Sequence, residues 1–294
     1  MHYTAENLLV KSQDKGEPGL FARVRAADAG WDYLNMAALR LPLGERYGDV
    51  TGENENVTVI LGGRCHIRTG KGEFMNLGHR ANVFSGMPWA LYLPRRTPFE
   101  IEALTDNLEV VSCWVPTDED HPAQLITPAD STIEIRGGGN ATRQINSIIP
   151  PGFDCHRLVC VEAFTPSGNW SSYPPHKHDV HRVDAAGKVL EADLEEIYFY
   201  KINPPEGYAY QRVYTGDRHI DALMVAQNHD AVLVPEGYHP VVSAHGYTTY
   251  YINFLAGSAQ SLANSDDPVY AWVKDTWLEK DPRLPVVSHD MERE

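Results

Sequence analysis

Pro174-Pro175-His176-Lys177-His178-Asp179, followed by Glu195-Glu196 at the head of Ile197-Tyr198-Phe199-Tyr200, is the stretch that decides how this chain is built. Side chains alternate across an extended segment, so His176 and His178 point to the same side. A carboxylate opening the nearby strand-like run, with a third imidazole at His239 in Pro235-Glu236-Gly237-Tyr238-His239-Pro240, makes a three-histidine, one-glutamate set suited to a divalent metal. Alternation sends one of Glu195 and Glu196 inward and the other outward, and leaves open which of them binds. If it is Glu196, Tyr198 and Tyr200 share its face and line a pocket, while Ile197 and Phe199 pack between sheets. His245 competes with His239 but sits beside Gly246 in a hairpin-like turn, where an exposed histidine needs no special role.

Working outward, short β-rich runs dominate: residues 57–61, 90–93, 110–115, 158–161, 197–200, 231–234 and 250–254. Turn residues punctuate them, with 23 Gly and 20 Pro, and long helical periodicities are scarce. The pattern is all-β. A chain of 294 residues with 43% apolar content predicts two domains. The segment Gly137-Gly138-Gly139-Asn140 sets the expected boundary near residue 140, giving units 1–140 and 141–294. Leu93-Pro94-Arg95 and Val234-Pro235-Glu236, each a strand ending in a proline turn, form a weak internal repeat. One short helix is expected near the end, where Asp266-Asp267-Pro268 can cap a run carrying Tyr270, Val273, Trp277 and Leu278 and packing on a barrel. The polar tail after Pro285 is expected to fray.

The net charge of −15 argues against nucleic acid or an anionic membrane as partner. Four cysteines without C-x-x-C spacing are too few for a disulfide scaffold and fit a reducing cytoplasm. The amino terminus lacks the pattern of a signal peptide, and no long apolar run occurs.

The extended His-x-His, the following glutamate and the late histidine resemble the cupin superfamily, whose small β-barrels hold a metal with this ligand set. The stretches Thr142-Arg143-Gln144, residues 164–179, Gln211-Arg212-Val213-Tyr214 and residues 234–241 narrow the resemblance to the IolB type of 5-deoxy-glucuronate isomerase, within the KduI/IolB-like bicupins. Residues 246–257 and Asp267-Pro268 extend it, and residues 82–88 and 91–94 resemble the family's amino-terminal barrel more weakly. The resemblance implies two jelly-roll-like cupin barrels, the first without His-x-His and free of metal, and an aldose–ketose isomerase of myo-inositol catabolism that converts 5-deoxy-glucuronate to 2-deoxy-5-keto-gluconate. It implies His176, His178, Glu196 and His239 as ligands of a divalent Mn, Fe or Zn ion, and it favours Glu196 over Glu195. The insert from Asp179 to Glu195, longer than typical cupins have, is expected near the pocket mouth.

Such a reaction needs a proton acceptor, for which Glu195, Asp179, Tyr198 and Tyr210 are candidates, and donors for the substrate carboxylate, for which Arg143, Arg212 and Lys177 are candidates. The expected partner is a small sugar acid, with a homo-oligomer a further expectation. A cupin dioxygenase and a non-catalytic sugar-acid-binding bicupin are the rival classes.

Overall fold

The computed structural model describes residues 1–293. Its strands form two sandwich barrels. In the first, a six-stranded sheet runs in the order Gln124–Ile126, Trp89–Leu93, Asn54–Gly62, Leu108–Pro116, Asn35–Leu41, Gly19–Val24. It faces a four-stranded sheet of Arg46–Val50, Pro98–Ala103, Cys65–Thr69 and Gly72–Leu77. Ile60 and Leu91 meet Ile67 and Ile101 across this interior.

The second barrel repeats the plan. Its large sheet is ordered Leu9–Val10, Ala231–Val234, Val189–Asn203, Thr248–Gly257, Val159–Thr165, Arg143–Ile149, Thr132–Arg136, with Asp179–Val183 paired to the early part of Val189–Asn203. The smaller sheet is Trp170–Ser171, Val241–Ser243, Tyr208–Tyr214, Asp221–Gln227, and His176–Lys177 pairs separately with Ser265–Asp266. The expected boundary at 140 falls between Thr132–Arg136 and Arg143–Ile149, which pair with each other. Leu9–Val10 likewise pairs with Ala231–Val234. Strand pairing thus counts residues 9–10 and 132–136 with the second sheet, and a cut at 140 would separate paired strands.

The large sheets of the two barrels pack against each other through a shared apolar layer. Period-two alternation builds it: Val57, Val59 and Leu61 join Ile197 and Phe199 in one cluster, and the Phe21 and Phe199 rings lie 6.3 Å apart. Polar ties cross the same interface. The carboxylate of Glu55 accepts from the backbone N–H groups of His156 (2.9 Å), Arg157 (2.7 Å) and Leu158 (3.0 Å). Glu195 does the same in the opposite direction, accepting from Asp32 (2.6 Å), Tyr33 (2.9 Å) and Leu34 (2.8 Å). Arg80 and Glu162 form a fully buried pair at 3.1 Å.

The short C-terminal helix is present, and the expectations about its packing and about the tail need correction. The C-terminal helix is a 3₁₀ segment, Ala271–Thr276, beyond a turn in which Asp267 Oδ1 accepts from Val269 N–H (2.9 Å). Of the residues expected to pack, Leu278 is 91% exposed, and Trp277 is the one pressed against Gly138, where even a Cβ would not fit. The tail after Pro285 is tied down, because Gln144 accepts from Val286 N–H (2.6 Å) and donates to the carbonyl of the buried Val287 (2.7 Å). The sequence also gave no sign of the two single-turn helices, Ala5–Leu8 and Ala26–Ala29.

A charged network also spans the barrels. Arg40 bridges Asp14 (2.7 Å) and Glu109 (2.6 Å), while His229 contacts Asp14 (2.7 Å) and Lys201 contacts Glu109. Hydrogen bonding from Arg40 holds the Asp14 carboxyl well below the usual range against the opposing effect of burial. A depressed carboxylate contributes stability that is complete above its unfolded pKa, about 3.9, and lost as pH falls through the lower folded value. Asp14→Asn should therefore cost about 1–2 kcal/mol at pH 7. In paired melts from pH 7 to pH 2, that difference should shrink below pH 4; a constant difference would contradict the assignment.

Candidate metal centre

Glu196 enters the second barrel from the strand Val189–Asn203, paired with Val234 on one side and Leu255 on the other. His178 follows the short strand His176–Lys177, and His239 follows the turn after Ala231–Val234. Glu196 Oε2 lies 3.0 Å from His178 Nε2 and 3.3 Å from His239 Nε2. Ligand atoms of these three buried residues all lie within 4.8 Å of one another. That spread is close to the roughly 4 Å spanned by bonds of about 2.0–2.2 Å to one shared ion. His176 completes a triangle of imidazoles, its ring centroid 4.8 Å from that of His239 and 6.4 Å from that of His178, with 4.9 Å between the latter two.

Hydrogen bonds behind the rings fix which nitrogen faces inward. His178 Nδ1–H donates to the carbonyl of Leu194 (3.1 Å), and His239 Nδ1–H to that of Gly237 (2.9 Å). A carbonyl can only accept, so each ring carries its proton on Nδ1 and directs Nε2 toward Glu196, the arrangement that orients imidazole ligands. His239 Nε2 is buried with no hydrogen-bond partner among the described residues, an arrangement that a bound cation would satisfy. Burial pushes the pKa of His239 down to about 4 and that of His176 well below its ordinary value, so both rings are neutral at pH 7. Burial also disfavours protonated His178, but hydrogen bonding to Glu196 and its charge outweigh it and raise the pKa. A cation at the centre and the His178 proton therefore compete for the same electron pairs. The residues fit a divalent ion of the kind that takes imidazole and carboxylate together.

Around this centre the pocket is lined by Arg143, Tyr198, Tyr251, Asn253 and Glu134, together with His176, His178 and Glu196. Arg143 is buried and donates to Ser171 Oγ (3.4 Å), which also bonds the Tyr251 hydroxyl. Tyr198 lies 3.2 Å from Ser172 Oγ, and burial followed by the charge of Glu196 holds its pKa well above the usual value. The amide nitrogen of Asn253 is buried without a partner among the described residues. Glu134 is kept below its ordinary pKa by its hydrogen bond from Arg136.

Four nominated residues lie elsewhere. Glu195 is turned by alternation to the barrel interface, where three backbone N–H groups hold it. Lys177, between the two histidines, faces away from them and pairs with Asp179 and Glu191 (2.7 Å). Tyr210 and Arg212 lie on the outer face of Tyr208–Tyr214, where Arg212 pairs with Asp221 (2.7 Å) and Tyr210 is 41% exposed. Asp179 is also committed, since its Oδ2 accepts from Gly237 N–H (2.9 Å) and so steadies the turn that carries His239. The insert beyond Asp179 forms a hairpin whose turn, near residues 184–188, is largely exposed. Missed by sequence were Glu134, Tyr251 and Asn253, which come from strands distant from the histidine motif in the chain.

The first barrel differs at the corresponding point. Asn54–Gly62 and Val189–Asn203 hold equivalent central places, and Asn56 pairs with Leu93 and Trp114 as Glu196 pairs with Val234 and Leu255. Asn56 thus stands where the second barrel has its carboxylate.

The model of the KduI/IolB family matches residues 8–273 of this chain. The 5-deoxy-glucuronate isomerase of Geobacillus thermodenitrificans (strain NG80-2) is 41% identical over 271 residues, covering 92% of this chain and 97% of that protein. The protein of the same name from Bacillus subtilis (strain 168) is 36% identical over 256 residues, 86% of this chain and 92% of its own. The crystal structure of an IolB-like protein from Salmonella typhimurium LT2 superposes with a TM-score of 0.85 at 34% identity, covering 90% of this chain and 98% of that one. An oxalate decarboxylase from Lactobacillus farciminis, at 11% identity and a TM-score of 0.62 over 90% of each chain, shares the fold.

Proposed function

This chain belongs to the KduI/IolB family and is an isomerase, and we propose that its second barrel converts 5-deoxy-D-glucuronate to 2-deoxy-5-keto-D-gluconate with a divalent metal, as a step of myo-inositol catabolism. The observation that carries this is the convergence of His178 Nε2 and His239 Nε2 on Glu196 Oε2 inside a pocket that also contains a buried arginine.

His178, Glu196 and His239 would hold the ion, with His176 completing the set. The ion, Mn, Fe or Zn by the chemistry of its ligands, supplies Lewis acidity toward the carbonyl and neighbouring hydroxyl oxygens of the sugar. The remaining work falls to the chain itself. Arg143, held by Ser171, offers a guanidinium to the substrate carboxylate. Aldose-to-ketose conversion moves a proton from the carbon beside the aldehyde to the aldehyde carbon. Tyr198 keeps its proton at neutral pH, so it acts as a hydrogen-bond donor to oxygen rather than as a base. Glu134, at the exposed rim of the pocket, has both oxygens engaged by Arg136 (2.9 and 2.7 Å) and is not assigned as the proton acceptor. Asn253 offers its free amide N–H groups to a sugar hydroxyl. The first barrel, with Asn56 in place of a carboxylate, serves as scaffold.

Chelation followed by dialysis should lower turnover of 5-deoxy-D-glucuronate by about a hundredfold or more, and adding Mn, Fe or Zn should restore it. Undiminished activity after metal analysis has verified removal would reject the metal requirement. Turnover should persist without oxygen, and the hydrogen beside the carbonyl should exchange with deuterated solvent faster than in buffer. Failure of either result would reject the isomerase chemistry at this centre.

A further inference from the structure

We propose that the first barrel carries a second small-molecule site, one that takes an oxyanion such as a carboxylate or phosphate group. Its fixed point is Arg80, which is 3% exposed. Nε of this residue donates to the carbonyl of Ile60 (3.1 Å), and Nη1 donates to that of Gly86 (3.3 Å) and to Glu162 (3.1 Å). Nη2 is buried and has no hydrogen-bond partner among the described residues. Arg80 borders an open cavity of about 550 Å³, lined also by Arg64, His79, Ser85 and Trp89. That volume lies within the roughly 300–1,000 Å³ typical of small-molecule sites.

Among the described residues the lining, which also includes Met291, supplies donors and no acid. Trp89 Nε1–H is a second buried donor without a partner among the described residues, and the Trp89 ring lies 5.4 Å from that of His79. The exposed Arg64 guanidinium makes no hydrogen bond or ion pair among the described residues. No carboxylate lines the cavity among the described residues. The nearby Glu162 is already occupied by Arg80, by the Asn146 amide (3.0 Å) and by the Tyr250 hydroxyl (3.0 Å).

Buried donors left unpaired are costly, and two beside one cavity define a place where an acceptor would be stabilised. Because Arg80 is immobilised by its other bonds, little further ordering is needed when a ligand accepts from Nη2. Guanidinium groups suit carboxylate and phosphate oxygens through charge-assisted hydrogen bonds. In a protein of net charge −15, the Arg64 guanidinium is the local positive charge that draws an anion to this point, the charge of Arg80 being balanced by Glu162. None of these residues lines the pocket around Glu196.

The test is calorimetric titration of the intact, metal-loaded protein with inorganic phosphate and, separately, with D-glucuronate at matched ionic strength. Wild type is compared with the Arg64→Ala/His79→Ala double variant, which changes exposed side chains, and with Trp89→Phe, which removes one N–H and keeps most of the packing. A saturable phase of one equivalent per chain is expected, weakened about tenfold or more in the double variant and several-fold in Trp89→Phe, with metal content and isomerase turnover retained. Phosphate alone producing that variant-sensitive phase identifies a phosphate-bearing ligand, and glucuronate alone a sugar acid. Absence of saturable binding by both anions, or binding that the variants leave unchanged, overturns the proposal whatever the isomerase assay gives.

Discussion

His239→Ala is expected to give protein that folds with native strand content but holds less than a tenth of the wild-type metal and turns over about 10³-fold more slowly or worse. The ring is wholly buried, and its Nδ1–H already serves the carbonyl of Gly237, so the free nitrogen has no structural bond to lose. What disappears is a neutral imidazole whose electron pair faces Glu196 at 3.3 Å. The apolar layer between the barrels is built from other residues, which is why folding should survive. His176→Ala removes a ring outside the tight three-residue cluster and should retain more metal than His239→Ala. Glu134→Gln, at the exposed rim and paired with Arg136, should keep its metal and most of its turnover. Tyr210→Phe, on the outer face, should change neither. Metal analysis and steady-state kinetics on the same preparations decide this; full metal occupancy in His239→Ala would show that the ion, if bound, sits elsewhere.

The all-β class was legible because short β-branched runs between glycine and proline turns have few other solutions. The residues that meet around Glu196 were legible in part because His176 and His178 share a side by backbone periodicity alone. Alternation separates Glu195 from Glu196 but does not say which face is inside; that depends on where Ile197 and Phe199 find apolar partners, and they find them in the other barrel. Tyr210 and Arg212 lie on the outer face of their strand for a different reason. On Tyr208–Tyr214 the aromatic Tyr208 and Tyr210 face out while polar Gln211 faces in, where its carbonyl accepts from the Tyr200 hydroxyl (2.7 Å). This inverts the usual hydrophobic pattern. Glu134, Tyr251 and Asn253 reach the pocket through sheet order, which no local spacing encodes. The tail does carry a signal, since Val286-Val287 is an apolar pair inside a polar segment and Val287 is fully buried.

Glu195→Ala should reduce stability by about 3 kcal/mol and lower the melting temperature by roughly 6–12 °C, while metal content and turnover measured below the transition stay near wild type. The residue directly beside a metal ligand in sequence is an obvious candidate base, yet strand geometry puts its carboxylate on the opposite face. There it accepts from three consecutive N–H groups at residues 32–34 of the first barrel. Truncation leaves the part-buried Tyr33 and Leu34 donors without their acceptor while exposed Asp32 turns to water, and each charge-assisted bond lost contributes to the deficit. Glu55→Ala is the mirror experiment. That carboxylate is fully buried and accepts from residues 156–158 and from the Tyr92 hydroxyl (2.9 Å), so its loss should cost at least as much. If the two glutamates are reciprocal tethers, both variants should also expose the loops they hold, detectable as faster amide exchange at residues 32–34 in one and 156–158 in the other. A Glu195→Ala protein with unchanged melting temperature and abolished turnover would return this residue to the chemistry and remove it from the interface.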